Sequence, residues 1–240
     1  MLFEFRFFCI YIILIFAQNI FSMIEDNYRH KGLRKKLVEI IKQKGIQDEN
    51  VLEAINSIPR HQFLDSSFLK FAYQDQAFPI GSGQTISQPY TVAFQTELLG
   101  IKKGDKVLEV GTGSGYQACV LAEMGAKVFT IERQKKLFEK TKKQLALMGY
   151  RKIKTFYGDG YKGLPTFGPF DKAIVTAGAP FIPQDLLSQL KIGGKLVIPV
   201  DLEPGLQEMI CITRVSEKEF EQREHGKFRF VPLLSKKAQD

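Results

Sequence analysis

Three acids stand where three successive apolar runs end. Glu109 lies in Val107-Leu108-Glu109-Val110, Glu132 closes Val128-Phe129-Thr130-Ile131, and Asp159 falls between Gly158 and Gly160. Directly after the first run comes Gly111-Thr112-Gly113-Ser114-Gly115. Glycines at such a place let the backbone turn sharply and approach a ligand in the crevice outside the strand ends. Glu132 follows Gly111 by 21 residues, a placement that suits hydrogen bonds to both ribose hydroxyls. Asp159 is placed to accept from an adenine amino group. Taken singly, each has a plainer reading: an ordinary turn, a solvated charge beside Arg133, a turn residue between two glycines. Together they point to a nucleoside site. A dinucleotide would want a third glycine where Tyr116 stands, and Glu109 would repel its pyrophosphate. A ligand with an amino group or sulfonium and no phosphate fits better, which favours S-adenosylmethionine as a bound donor over a dinucleotide.

A second constellation precedes the first acid: Pro79-Ile80-Gly81-Ser82-Gly83-Gln84-Thr85-Ile86-Ser87-Gln88-Pro89-Tyr90. It leads into an apolar segment of helical character. Ser87 is expected to cap that helix, with Pro89 tolerated in a first turn whose N–H groups lack intrahelical partners. Free N–H groups and the helix dipole also attract carboxylates, so a serine hydroxyl here could hold one. Capping alone would account for the serine.

The elements that must position these residues follow from periodicity. Helical spacing is expected over Tyr28–Lys44, with Gly45 as its stop and Asp48 as the cap of a helix running to Ser57. Residues 61–90 show no clean period, yet carry Phe63, Phe68, Phe71, Tyr73 and Phe78, so they are expected to pack. A helix is expected over Tyr90–Leu99. Strands and helices then alternate: strand Lys106–Val110, helix Tyr116–Met124, strand Lys127–Ile131, helix Lys135–Met148, and strand Ile153–Tyr157. Strand Phe170–Thr176, helix Ile182–Leu190 and strand Gly194–Pro199 follow. That order argues a parallel sheet with helices on both faces. Glu208–Val215 and Phe228–Leu234 read as strands forming an antiparallel pair at the sheet edge, separated by a charged stretch of no clear type.

Composition narrows the classes. At 240 residues, 44% apolar and 25% charged, the chain matches a globular domain and excludes wholesale disorder, a disulfide miniprotein and a multi-span membrane protein. Cys9, Cys119 and Cys211 are far apart, so neither a zinc framework nor a disulfide scaffold is readable, and no metal site is expected. Residues 7–17 form an apolar run long enough for a signal-peptide core but short of the roughly 20 residues of a membrane span. Its leading stretch has no positive excess, and neither Ala17 nor Ser22 offers a small-x-small cleavage site. Residues 1–22 are therefore read as a misassigned start or disposable leader, with export as the alternative. A chain starting at Met23 is expected to fold with full activity, and mass spectrometry of the native protein to find its N-terminus at or next to Met23. A mature end between Ala17 and Ser22, recovered outside the cytoplasm, would mean export.

Several blocks, in order from about Met23 to Leu234, resemble one family. They are Ile58-Pro59-Arg60, Ala72-Tyr73-Gln74-Asp75, the Pro79–Tyr90 block, Glu109–Gln117, Phe170–Thr176, Gly193–Val200 and Phe230-Val231-Pro232-Leu233. The chain is similar to protein-L-isoaspartate O-methyltransferases, and Gly83-Gln84-Thr85-Ile86-Ser87-Gln88-Pro89 is the most specific stretch. The resemblance implies a class I, Rossmann-like methyltransferase fold with an antiparallel C-terminal edge and an N-terminal helical extension. It divides the chain into 1–22, an acceptor-binding region 23–100, and a donor-binding core 101–240, compact as one domain from residue 23. It implies S-adenosylmethionine as donor and isoaspartyl residues of damaged proteins as acceptors. Ser87 falls on the active-site serine. Glu109, Gly111, Thr112, Gly113, Ser114, Gly115, Glu132, Asp159, Gly160 and Gln207 fall to the donor, and Ile86, Gln88, Val231 and Pro232 to the acceptor. Asp201 departs from the family, where glycine is usual, and Cys119 replaces a small residue. The expected setting is the cytoplasm, as a monomer, without stable membrane or nucleic-acid association.

Two other classes share parts of the pattern. A methyltransferase acting on RNA or a small carboxylate would use the same donor, and the net charge of +8 would help with RNA. Against RNA, Val175-Thr176-Ala177-Gly178-Ala179-Pro180 stands where a base-handling Asn-Pro-Pro-Tyr-type motif would follow the fourth strand, and the cations form no stripe. A module that binds the nucleoside without catalysis is the other. His30, His61 and His225 are scattered, with no G-x-S-x-G to support acyl transfer.

Overall fold

The computed structural model describes residues 25–238, so the apolar leader lies outside the described residues. Asn27 caps helix α1 (Tyr28–Gln43) by accepting from the His30 amide, and Leu37 and Ile41 bury its inner face. Asp48 caps α2 (Glu49–Ser57) as its position before the apolar period predicts.

The stretch without a period is ordered by two 3-10 turns and a hairpin. Strands β1 (Phe78–Gly81) and β2 (Gln84–Ile86) pair antiparallel. Ser82 and Gly83 carry the turn with φ of 52° and 66°, the left-handed pair that a tight hairpin requires. The hairpin feeds α3 (Pro89–Leu99), which is buried nearly all round. Gln95 in it donates to the Val175 carbonyl at 3.0 Å, tying the helix to the sheet.

The sheet begins with β3 (Lys106–Val110), followed by α4 (Tyr116–Glu123), β4 (Lys127–Glu132), α5 (Lys135–Leu147), β5 (Lys154–Tyr157) and β6 (Phe170–Val175). Helix α6 (Gln184–Ser188) and strands β7 (Leu190–Glu203), β8 (Leu206–Arg214) and β9 (Phe220–Phe228) complete it. The order is β5-β4-β3-β6-β7-β8-β9. The first five run parallel, and β7-β8-β9 form an antiparallel meander. Strands covered on both faces read as near-continuous apolar runs, and their alternation assigns the layers. Val107, Val128, Ile174 and Val197 face the layer of α1–α5. Leu108, Phe129, Val175 and Ile198 face a second layer over α6. Period two therefore turns Glu109 toward the helix-rich side, with Val107.

Three expectations need correction. Helix Ile182–Leu190 shrinks to Gln184–Ser188, and the strand after it lengthens to Leu190–Glu203. The antiparallel edge exists, but its outer strand is the charged stretch Phe220–Phe228, whereas Phe228–Leu234 is mostly irregular, with Pro232 bridging to Gly178. An outermost strand has one unpaired edge and mostly exposed side chains, so charge there is the rule. It lacks the apolar alternation by which strands are read.

Candidate active site

In the strand order β3 is flanked by β4 on one side and β6 on the other. The connections leave β3 and β6 in opposite directions, opening a crevice beyond their C-terminal ends. Two clefts meet there. The inner one is walled by Gly111–Ser114, Glu132, Tyr116 and Ile86. The outer is a groove of about 680 Å³ between α3 and the segment 227–231. Thr85, Ser87, Thr176 and Val231 line both.

The glycine loop is shaped by close approach as well as by turning. Gly111 has φ of 100°, and a Cβ there would lie 2.5 Å from the Thr176 hydroxyl. That hydroxyl donates to the Gly111 carbonyl at 2.8 Å. Gly115, at φ 85°, precedes α4 where a Cβ would meet Thr141 at 2.9 Å. Thr112 pairs its hydroxyl with Thr130 at 2.6 Å, and Ser114 accepts from the Tyr116 amide. Glu132 accepts from the Gly113 amide at 2.9 Å and the Gln134 amide at 2.8 Å. Its carboxylate pins the loop and keeps lone pairs for a ligand, since each oxygen can accept twice.

Ser87 is not the helix cap. Gln88 occupies the N-cap position, with Pro89 next and no hydrogen bond from a capping side chain of its own. Asp75, far back in the chain, does that work instead. It accepts from the Tyr90 amide at 2.8 Å and from the Gln88 side chain at 2.9 Å. Lys44 holds the same carboxylate at 2.6 Å. The half-buried Ser87 is thus freed from capping, and its backbone is fixed from behind by Arg60. That guanidinium, 0% exposed, donates to the Ser87 carbonyl at 3.0 Å and the Gln76 carbonyl at 3.2 Å. It also stacks 4.8 Å from the Tyr116 ring centre.

Other expected donor residues lie outside the inner cleft. Glu109 is 0% exposed and neither carboxylate oxygen has a hydrogen-bond partner. Burial pushes its carboxyl up to about 8; the nearby Thr130 hydroxyl offsets part of that rise, and Glu132's charge adds a smaller one. Asp159 behaves as the turn residue of its plainer reading: one oxygen accepts from the Tyr161 amide at 3.0 Å and the other from Lys236 at 2.8 Å. Gly160 packs against Val110 and Leu233. Gln207 accepts from the Phe230 amide at 2.8 Å and donates to Asp201 at 2.7 Å. It holds the C-terminal segment in place, and Asp201 is its partner there. Gln88 and Val231 line the groove, while Pro232 does not. Cys119 is buried packing.

Thr176 was not singled out by the sequence, although the end of a strand beside a switch point is where ligands bind; only the strand order reveals it. Arg60 and Asp75 lie within motifs, but nothing local marks their long-range partners. Among the described residues Asp26, His30 and His61 bring ligand-type atoms within 4.8 Å of one another. The Arg34 guanidinium engages both Asp26 oxygens at 3.0 Å and places a fixed positive charge where a cation would have to bind.

The parallel sheet with its antiparallel edge, the glycine loop and the acid at the next strand end define a class I, Rossmann-like methyltransferase. The family model described as Protein-L-isoaspartate(D-aspartate) O-methyltransferase matches residues 32–238, and the chain belongs to this family. It is 62% identical to the protein-L-isoaspartate O-methyltransferase of Christiangramia forsetii over 89% of this chain and 100% of that one. Identity to the Cytophaga hutchinsonii protein of the same name is also 62%, over 89% and 96%. Among solved structures, one protein-L-isoaspartate O-methyltransferase superposes with a TM-score of 0.76 at 31% identity, covering 83% of this chain and 65% of that one. A Plasmodium falciparum structure assigned to the same enzyme, in complex with S-adenosyl-L-homocysteine, gives 0.73 at 26% identity, over 84% and 98%.

Proposed function

We propose that this protein transfers the methyl group of S-adenosylmethionine to the free α-carboxylate of L-isoaspartyl residues in damaged proteins. The observation that carries the reading is the meeting of an inner cleft and an outer groove at Ser87, whose hydroxyl no helix cap claims. The cleft suits the donor: the glycine loop Gly111–Ser114 lines it, and the Glu132 carboxylate stands at its wall. The donor supplies a sulfonium-bound methyl group, already activated for transfer. Gly111, Thr112, Gly113 and Ser114 would hold it by their backbone and Glu132 by the ribose hydroxyls. Gly115, Gly160 and Gln207 act through the segments that they position. Asp159 reaches an adenine amino group only if it shares or releases the Lys236 amide.

On the acceptor side little acid–base chemistry is needed. The α-carboxylate is ionised at neutral pH and is itself the nucleophile; its oxygen gains the methyl carbon as the carbon–sulfur bond breaks. Ser87 orients that carboxylate by donating its hydroxyl proton in a hydrogen bond. Ile86, Gln88 and Val231 shape the surroundings, with Pro232 supporting the backbone of 230–233, along which the peptide lies as an added strand. In-line placement and exclusion of water account for the rate, a contribution that reaches roughly 7–11 kcal/mol in favourable cases.

The reading includes a cytoplasmic setting, where the donor is made, and a monomeric protein. Among the described residues no helix is long and apolar enough to cross a membrane. Labelled methyl transfer from S-adenosylmethionine to an isoaspartyl peptide, with no transfer to its aspartyl isomer or to tRNA, is the expected result. Transfer to tRNA alone would replace this function with nucleic-acid methylation, and donor binding without transfer would leave a binding module.

Glu132→Ala is expected to weaken S-adenosylhomocysteine binding by about 1.5–3 kcal/mol, the range for hydrogen bonds to a charged group. Calorimetric titration measures it. An unchanged dissociation constant would reduce Glu132 to a brace for the Gly113 amide.

A further inference from the structure

The charges of the outer groove are one-sided. Lys44, Lys227 and Arg229 line it, and no aspartate or glutamate does. Lys44 is already neutralised by Asp75 at 2.6 Å. Lys227 and Arg229 have no carboxylate partner among the described residues, and Arg229 gives only one N–H to the Gly205 carbonyl, at 3.3 Å. Glu208, opposite Lys227 in the strand register, turns its carboxylate to the Gly226 amide.

Position within the site separates these cations from the chemistry. Ser87 lines both clefts, whereas Lys227 and Arg229 line only the outer groove. An acceptor segment whose carboxylate is held at Ser87 runs on into the groove that the two cations line. Phe228 and Phe230 also line the groove, with Phe228 packed 5.0 Å from Phe94. The overall charge of +8 cannot make this selection, because charges more than about 10 Å away are screened at 0.1 M salt.

We propose that Lys227 and Arg229 are specificity-determining residues that select isoaspartyl segments flanked by acidic residues. This rests on the reading of the chain as an isoaspartyl carboxyl methyltransferase. An exposed ion pair contributes a factor of about 1.5–5 in affinity, and basic flanks suffer repulsion from the same groups.

The test uses three isoaspartyl peptides that differ only in flanking Glu, Ala or Lys. For the unaltered protein, kcat/KM at low salt is expected to favour the Glu peptide over the Lys peptide by about tenfold or more, through KM, and the ratio to fall toward one at 0.5 M sodium chloride. In the double variant Lys227→Gln/Arg229→Gln the low-salt ratio is expected to fall at least threefold. S-adenosylhomocysteine affinity, followed in parallel, reports an intact donor site, and the salt dependence of the unaltered protein needs no variant. Equal kcat/KM for Glu and Lys peptides, or a ratio that survives both substitutions, overturns the proposal. A protein that methylates none of the three overturns the methyltransferase reading itself, and this selection with it.

Discussion

Ser87→Asp is expected to give a folded protein that binds S-adenosylhomocysteine and does not methylate isoaspartyl peptide. Stability is retained because the amide at the start of α3 is held by Asp75 and not by Ser87. A new carboxylate near a helix N-terminus is, if anything, favoured by the dipole. It would stand where the acceptor carboxylate has to bind. Like charges about 4 Å apart repel by about 4 kcal/mol at an effective dielectric near 20, roughly a thousandfold in rate. Ser87→Ala refines the expectation. Losing a cap would cost about 1 kcal/mol, but Ser87 is not the cap, so a melting temperature equal to that of the unaltered protein, with turnover strongly reduced, is expected. Methylation by Ser87→Asp at close to the original rate would move the acceptor site elsewhere.

Glu109→Gln is expected to stabilise the protein at neutral and higher pH. The folded carboxyl titrates at about 8 and its unfolded counterpart at 4.5. Between those values the folded chain holds the extra proton, so stability is greatest below 4.5 and falls as pH rises to 8. At pH 7 the difference amounts to about 3 kcal/mol at 1.36 kcal/mol per pH unit. Glutamine keeps the shape and cannot ionise, so its variant should lose this slope, matching the unaltered protein near pH 4.5 and exceeding it at pH 8. Urea unfolding at pH 5 and pH 8 measures the effect, and equal slopes in the two proteins would remove Glu109 as its source. An unpartnered buried acid next to a cleft proposed for a cationic ligand breaks a local rule where function is expected to break it.

The strands β3, β4 and β6 were legible because burial on both faces demands near-continuous apolar runs. Strand β9 was not, since an outermost strand can be charged along its length, as Phe220–Phe228 is. Hairpin β1–β2 escaped because its strands have only four and three residues, too few for alternation to register. The glycine loop and Glu132 could be read together because their spacing follows from one strand–turn–helix–strand unit, whose geometry is local.

Local order along the chain dictates the alternation of strands and helices, the loop that turns at Gly111, the acid at position 132 and the presence of a serine before a helix. Those features depend on neighbours within one or two elements. What each group is free to do depends on contacts between distant elements. Packing brings Asp75 to the Tyr90 amide and so releases the Ser87 hydroxyl. It carries Arg60 under the Ser87 carbonyl, gives Asp159 to the Lys236 amide, and seals Glu109 without a partner. A hydrogen-bond acceptor has few lone pairs, and which donor reaches them first is settled by elements that meet only when the chain is folded.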